Sequence, residues 1–134
     1  MGKISAFLSP IGNSETKEVI ISSRFKDENG EDVPFVIKAL RQDEIDEITR
    51  KCTITKKING TWQDKLDSLS FARHLIVAGT VEPDFKSTDM CNAYGVLDPL
   101  LVPGKMLLAG EYSKLSNAIA QLSGFEDIDT YAKN

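Results

Sequence analysis

Glu18-Val-Ile-Ile-Ser-Ser-Arg-Phe-Lys-Asp-Glu-Asn-Gly-Glu-Asp-Val-Pro-Phe-Val-Ile37 decides the fold class. Val19, Ile21, Ser23 and Phe25 alternate with Glu18, Ile20, Ser22, Arg24 and Lys26, the period of a strand with one face on a core. The run Asp27–Asp32 that follows is rich in turn formers, and Asn29-Gly30 suits positive φ. Val33, Phe35 and Ile37 then resume the alternation. Pro34 has no N–H to give a ladder, so its strand is an edge or begins there. This is an antiparallel hairpin, and everything after it reads mainly as helix. The expected class is α+β: an N-terminal antiparallel β-hairpin followed by a compact bundle of short α-helices.

Downstream, Ile45, Ile48 and Cys52 recur at three and four. Asp43, Glu44, Asp46 and Glu47 lie toward the start of that helix, and Arg50 and Lys51 toward its end, the order that the helix dipole favours. Thr53-Ile-Thr-Lys-Lys-Ile58, Asn59-Gly60 and Thr61-Trp62 read either as a second, exposed hairpin or as a mobile loop, because the apolar alternation is poor. Leu66, Leu69, Ala72 and Ile76 mark one face of the next helix; Phe71, Leu75 and Ala78 mark another. So wide an apolar surface predicts a central helix, with Gly79 as its C-cap. Ser87 is placed to cap a short helix through Tyr94 that Gly95 ends. Asp98-Pro99 and Val102-Pro103 are further helix starts. Met106-Leu-Leu108 reads as a short turn ended by Gly110, and Leu115, Ala118, Ile119 and Leu122 as a last helix closed by Gly124.

The layout is one domain over residues 18–125. A weakly ordered tail, 1–17, precedes it, and a frayed acidic tail, 126–134, follows it. The 134 residues suffice for one real core, and with aromatics at 7% that core relies on Leu, Ile and Val. A net charge of −4 with scattered Lys and Arg argues against nucleic acid, whose phosphates need clustered cations. The start of the chain shows no signal-peptide or myristoylation pattern and no window is apolar enough to cross a bilayer. The expectation is a cytoplasmic protein with no membrane partner, and with Cys52 and Cys91 as reduced thiols. Ile4, Phe7 and Leu8 are either stray apolar residues of the tail or a small plug that docks on a neighbour.

No constellation for chemistry emerges. His74 lies inside the central helix without an orienting acid, and its nearest Ser is Ser70 at helical spacing. Cys91 falls in a first helical turn, where a thiol pKa can drop, but no His is close in sequence. Glu82 and Asp84 complete the short list of parts an enzyme would have. Asp27–Asp32 is too short for a calcium loop, and the glycines never form a phosphate-cradling run. No enzyme, no metal and no cofactor is expected. What stands out is apolar density: Val96, Leu97, Leu100, Leu101, Val102, Met106, Leu107 and Leu108 either all face the core or leave some members as a docking groove.

Several segments then carry a resemblance. Val81-Glu-Pro-Asp-Phe-Lys86, Cys91-Asn-Ala-Tyr-Gly-Val-Leu-Asp-Pro-Leu100, Gly104-Lys-Met-Leu-Leu-Ala-Gly-Glu-Tyr112 and the run from Leu115 to Phe125 resemble the phage tail assembly chaperones of the XkdN-like, PBSX-type prophage subgroup. Phe25-Lys-Asp-Glu-Asn-Gly30, Val33-Pro-Phe-Val-Ile-Lys38 and Arg50-Lys-Cys-Thr53 extend the resemblance over nearly the whole chain; Lys56–Lys65 matches least. The resemblance implies a non-enzymatic holdase in the bacterial host cytoplasm, absent from the finished virion. Such a protein binds the tape measure protein, keeps it soluble and yields it as the major tail (tube) protein polymerises. The alternative is a structural tail-completion or connector component of the virion. A holdase of this kind gains grip from many copies, so a homo-oligomer is expected. The partner-binding candidates are Ile4, Phe7, Leu8, Phe85, Tyr94, Val96, Leu97, Leu100, Leu101, Met106 and Leu107.

Overall fold

A computed structural model describes residues 2–11 and 16–125. It is α+β, with antiparallel strands and several short helices. Helix α1 (Ile4–Leu8) is followed by β1 (Thr16–Val19), β2 (Phe35–Lys38) and α2 (Gln42–Cys52). Strands β3 (Thr53–Ile58) and β4 (Thr61–Leu66) lead into α3 (Ser68–Gly79), β5 (Thr80–Glu82) and α4 (Thr88–Ala93). A 3-10 turn (Pro99–Leu101), α5 (Val102–Met106) and α6 (Ala109–Leu122) complete the chain. The acidic tail expected at 126–134 lies outside the described residues, as does part of the N-terminal tail.

The first hairpin exists with displaced arms. β1 pairs antiparallel with β2 from Thr16↔Lys38 to Val19↔Phe35, so the ladder starts inside the stretch expected to be a tail. Residues 20–34 form a long connection pinned by one bridge, Lys26↔Asp32, and by Asp27, whose carboxylate accepts from the N–H groups of Asn29 and Glu31. Ile21 is buried and Phe25 half-buried there although neither is in a strand, which is why their alternation imitates one. The sheet has a third member: β5 pairs antiparallel with the other side of β2, giving the order β1-β2-β5. The central strand therefore buries Phe35 and Ile37.

Helices α3 and α6 cover the sheet. α3 is central, as expected, burying Phe71, Leu75, Ile76 and Val77, but Leu69 points to solvent. Asp67 caps it, accepting from Ser70 N at 3.3 Å. Gly79 does not act as a left-handed cap. It is the last helical residue, and a β-carbon there would come within 2.5 Å of Cγ2 of the wholly buried Ile119. Its value is close helix–helix approach. Gly110, expected to end a turn, instead lies in the first turn of α6, whose start is set by Leu108 N donating to Glu111 Oε1 at 2.8 Å. α2 packs Ile45, Ile48 and Cys52 inward as the spacing predicts.

β3 and β4 form the second hairpin, closed by Asn59 (φ 52°) and Gly60 (φ 82°). Two consecutive positive-φ residues match the twist of a tight hairpin. All six residues of each strand are exposed. Among the described residues, no helix is long and apolar enough to cross a membrane.

Candidate partner-binding surface

Residues 87–108 are a series of short turns, each fixed by its own punctuation. Ser87 Oγ accepts from Met90 N at 3.2 Å and starts α4. Gly95 (φ 66°) ends it, with Val96 N donating to the Cys91 carbonyl at 3.0 Å. Asp98 Oδ1 accepts from Leu100 N at 3.0 Å and starts the 3-10 turn, with Pro99 as its first residue. This punctuation sorts the apolar residues. Val102, Pro103 and Leu107 enter the core, and so does Phe85. Leu97 is 102% exposed, Leu108 61% and Leu101 38%. Tyr94, Val96, Leu100 and Met106 are half-buried against the core. Of the expected contact residues, Phe85 and Leu107 are therefore sealed in the core cluster of this structure; Leu108, absent from that set, takes the outward position.

A groove of about 240 Å³ opens beside the outward residues, lined by Arg73, Leu100, Leu101, Gly104, Lys105 and Tyr112. Burial pushes the Tyr112 hydroxyl pKa up, so the phenol stays neutral there. A second groove, about 320 Å³ and mainly apolar, lies between Phe25, Val33, Pro34, Glu82, Pro83 and Met106, with Phe35 at its floor. The Phe25 and Phe35 rings meet at 5.4 Å and 59°, and the Arg24 guanidinium lies 5.1 Å from the Phe25 centroid.

Arg24 locks the 20–34 connection onto α5 and α6. It donates to both carboxylate oxygens of Glu111, one at 2.9 Å through Nε, and from Nη2 to the Met106 carbonyl at 3.1 Å. Hydrogen bonds from Arg24, and then from Ser22, hold the Glu111 carboxyl at about 2, well below its ordinary 4.5. Sequence reading missed this pair, since 87 residues separate its members.

The N-terminal residues are exposed as well: Ile4 66%, Phe7 80% and Leu8 73%, with Ile11 at 104%. Ile4, Phe7 and Leu8 share one side of α1, which ends before Ile11, and none of them is buried against the described residues.

His74 Nδ1 faces the Ser70 carbonyl at 2.9 Å and Cys52 Sγ at 3.4 Å, and Cys52 is 1% exposed, shut off from any substrate. Cys91 is half-buried, with its thiol toward the Phe85 carbonyl at 3.8 Å. Glu82 and Asp84 are exposed on and after β5. Among the described residues, no three His, Cys, Asp or Glu side chains converge as metal ligands.

Residues 4–133 match the family described as phage XkdN-like tail assembly chaperone protein. The phage-like element PBSX protein XkdN of Bacillus subtilis (strain 168) is 35% identical over 137 residues, covering 96% of this chain and 93% of that protein. YqbN of the same organism, whose function is uncharacterised, is 38% identical over 127 residues, covering 90% of this chain and 85% of the relative. The crystal structure of YqbN superposes with a TM-score of 0.76 at 35% identity, covering 90% of this chain and 95% of the other. With its apolar residues sorted outward by fixed turns and a fold shared with YqbN, this chain belongs to the phage XkdN-like tail assembly chaperone family.

Proposed function

We propose that this chain is a non-enzymatic holdase for the tape measure protein of a phage or prophage tail. It acts in the host cytoplasm, keeps that long helical client soluble, hands it over as the major tail protein polymerises, and stays out of the finished virion. The working unit is residues 18–125, flanked by the two tails, and it functions as a homo-oligomer.

One observation carries this reading: large apolar side chains stay in water although the chain has a well-filled core. Leu97, Leu101 and Leu108 project from a segment held by capped turns, beside the groove at Tyr112. Holding such side chains out in rigid turns pre-organises a contact surface, and an amphipathic helix laid in that groove would cover them. The contacts are Leu97, Leu101 and Leu108 with the half-buried Tyr94, Val96, Leu100 and Met106, and the Ile4/Phe7/Leu8 stripe as a second apolar element. Phe85 and Leu107 support this surface from beneath.

Co-expression with the tape measure protein tests it. The expected result is a soluble client with this chain and aggregation when Leu97, Leu101 and Leu108 are all changed to Ser. A client that precipitates equally with and without the wild-type chain overturns the reading. Purified particles are expected to lack the chain; finding it there in stoichiometric amounts would make it a tail component instead.

A further inference from the structure

The β3–β4 hairpin has no core of its own. A two-stranded ribbon is marginal in water without a third strand or a helix to pack on, yet this one extends about 20 Å at the usual strand rise with every strand residue exposed. Near its tip stands Trp62, 67% exposed and the only tryptophan of the chain. Lys57 pairs directly across from Trp62, and Lys56 and Lys65 lie on the opposite face. With Asp64 as its sole acid, the hairpin carries +2 on a chain of net −4, so the remainder carries −6.

The apolar groove between Phe25, Val33, Pro34, Pro83 and Met106 has the opposite character. Glu82 lines it, Asp84 follows Pro83 directly, and Glu31 and Asp32 directly precede Val33. Of the nearby cations Arg24 pairs with Glu111, and Lys26 pairs with Asp32 at 2.7 Å and offsets its charge; Lys86 lies two residues after Asp84, so the acids left to a partner are Glu31, Glu82 and Asp84. β5, which delivers Glu82, is an edge strand with Val81 43% exposed.

The two features sit at opposite ends of α3. The hairpin enters its N-terminus, with Asp67 N donating to the Cys52 carbonyl at 2.8 Å at the hairpin base, and β5 leaves its C-terminus. A 12-residue helix separates them by about 18 Å. A basic aromatic projection at one end and an acidic apolar groove at the other are complementary but differ from each other. Contact between copies through them is head-to-tail, which repeats into a ring or an open spiral instead of closing as a two-fold dimer.

We infer that the occupant of the Phe25/Pro34/Pro83 groove is the Trp62 hairpin of a second copy of this chain, with Lys57 meeting Glu82 and Asp84. This rests on the self-association proposed above and supplies its interface, which meets the client surface at Leu97–Leu108 only through Met106. A tryptophan seated in a pocket is among the side chains that dominate interface energetics, while Lys57 sets the orientation of the contact.

Trp62 fluorescence and sedimentation of the full chain over a concentration series test it. Wild type is expected to assemble with a blue-shifting emission, and Trp62→Ala to weaken assembly about 30-fold. The double variant Glu82→Lys/Asp84→Lys is expected to stay monomeric with red emission. Mixing it with Trp62→Ala is decisive. Each retains the half that the other has lost, so a head-to-tail contact gives a one-to-one heterodimer that stops there, with blue-shifted emission. The interface is overturned if wild type assembles but both variants assemble equally well, or if the mixture yields nothing. It is also overturned if the emission shifts only when a tape measure fragment is added, which assigns the hairpin to the client. A wild type that remains monomeric at every concentration overturns self-association itself, while the client-solubility experiment stands apart.

Discussion

Strand β2 and the β3–β4 hairpin are built from similar residues and have opposite fates. β2, Phe35-Val-Ile-Lys38, buries Phe35 and Ile37 between two neighbouring strands and beneath α6. The hairpin, with Ile54, Ile58, Trp62 and three threonines, puts no side chain into the core. Strand propensity makes both extended. What separates them is whether apolar residues all fall on the face that meets a helix. In the hairpin Ile54 and Ile58 share one face with Lys56 and Lys65, while Trp62 and Leu66 share the other with Lys57 and Asp64, so neither face is clean. The molecule divides accordingly into a body that holds stability and a projection free to serve assembly.

The largest test of that division is a pair of truncations. Leu115 is 0% exposed on α6, and Leu115→Ala is expected to cost about 3 kcal/mol in chemical denaturation. Trp62→Ala removes a larger side chain and is expected to change stability by less than about 0.5 kcal/mol. Comparable losses at the two sites would erase the distinction.

Next comes the ion pair that ties the 20–34 connection to the body. Glu111 sits at about 2 in the folded chain against an ordinary 4.5, so its proton binds the unfolded chain more tightly. Its stabilising contribution is complete above pH 4.5 and is lost as the pH falls through about 2. Glu111→Gln is expected to be less stable than wild type at pH 7, with the gap closing across that window. A gap that stays constant from pH 7 to pH 2 would show that the charge is not what holds the segment.

The same contrast governs what could be read from the chain itself. Local signals were legible: Ile45/Ile48/Cys52 gave α2, Ser87 and Asp98 gave their caps, and Asn59-Gly60 offered the turn of a hairpin that poor apolar alternation left open against a loop. Features set by distant partners were not. β5 is three residues long and gains its identity from β2, more than forty residues earlier. The strand-like period of Ile21 and Phe25 came from a loop that packs on the core. Within residues 85–108, density of apolar residues was visible, but not the division that buries Phe85 and Leu107 and leaves Leu108 in water.

Gly79 shows how such long-range dependence feeds back on one residue. Gly79→Ala forces its new methyl against Ile119 Cγ2, part of a β-branched side chain that is 0% exposed and has no room to swing away. Overpacking of this kind costs about 2 kcal/mol, and the better helix propensity of Ala returns about 1 kcal/mol. A net loss near 1 kcal/mol is expected, and the paired change Gly79→Ala/Ile119→Ala, which removes Cγ2, should lose less than the sum of the two singles. Strict additivity would mean that the two helices do not meet there.

The smallest stability effect is expected from the largest deletion. Replacing residues 55–64 by Asn-Gly leaves Ile54↔Lys65 flanking the turn, in the same alternation of the ladder as Ile58↔Thr61, which flanks Asn59-Gly60 now. The turn chemistry therefore carries over. No buried side chain is removed, and shortening a loop slightly lowers its closure entropy. Denaturation of the shortened chain is expected to match wild type within about 0.5 kcal/mol, while concentration-dependent assembly disappears because Trp62 and two of the three hairpin lysines are gone. A loss of several kcal/mol would place the hairpin in the folding unit. Retained stability with abolished assembly separates the two roles on one polypeptide, because only the contact between copies would have been removed.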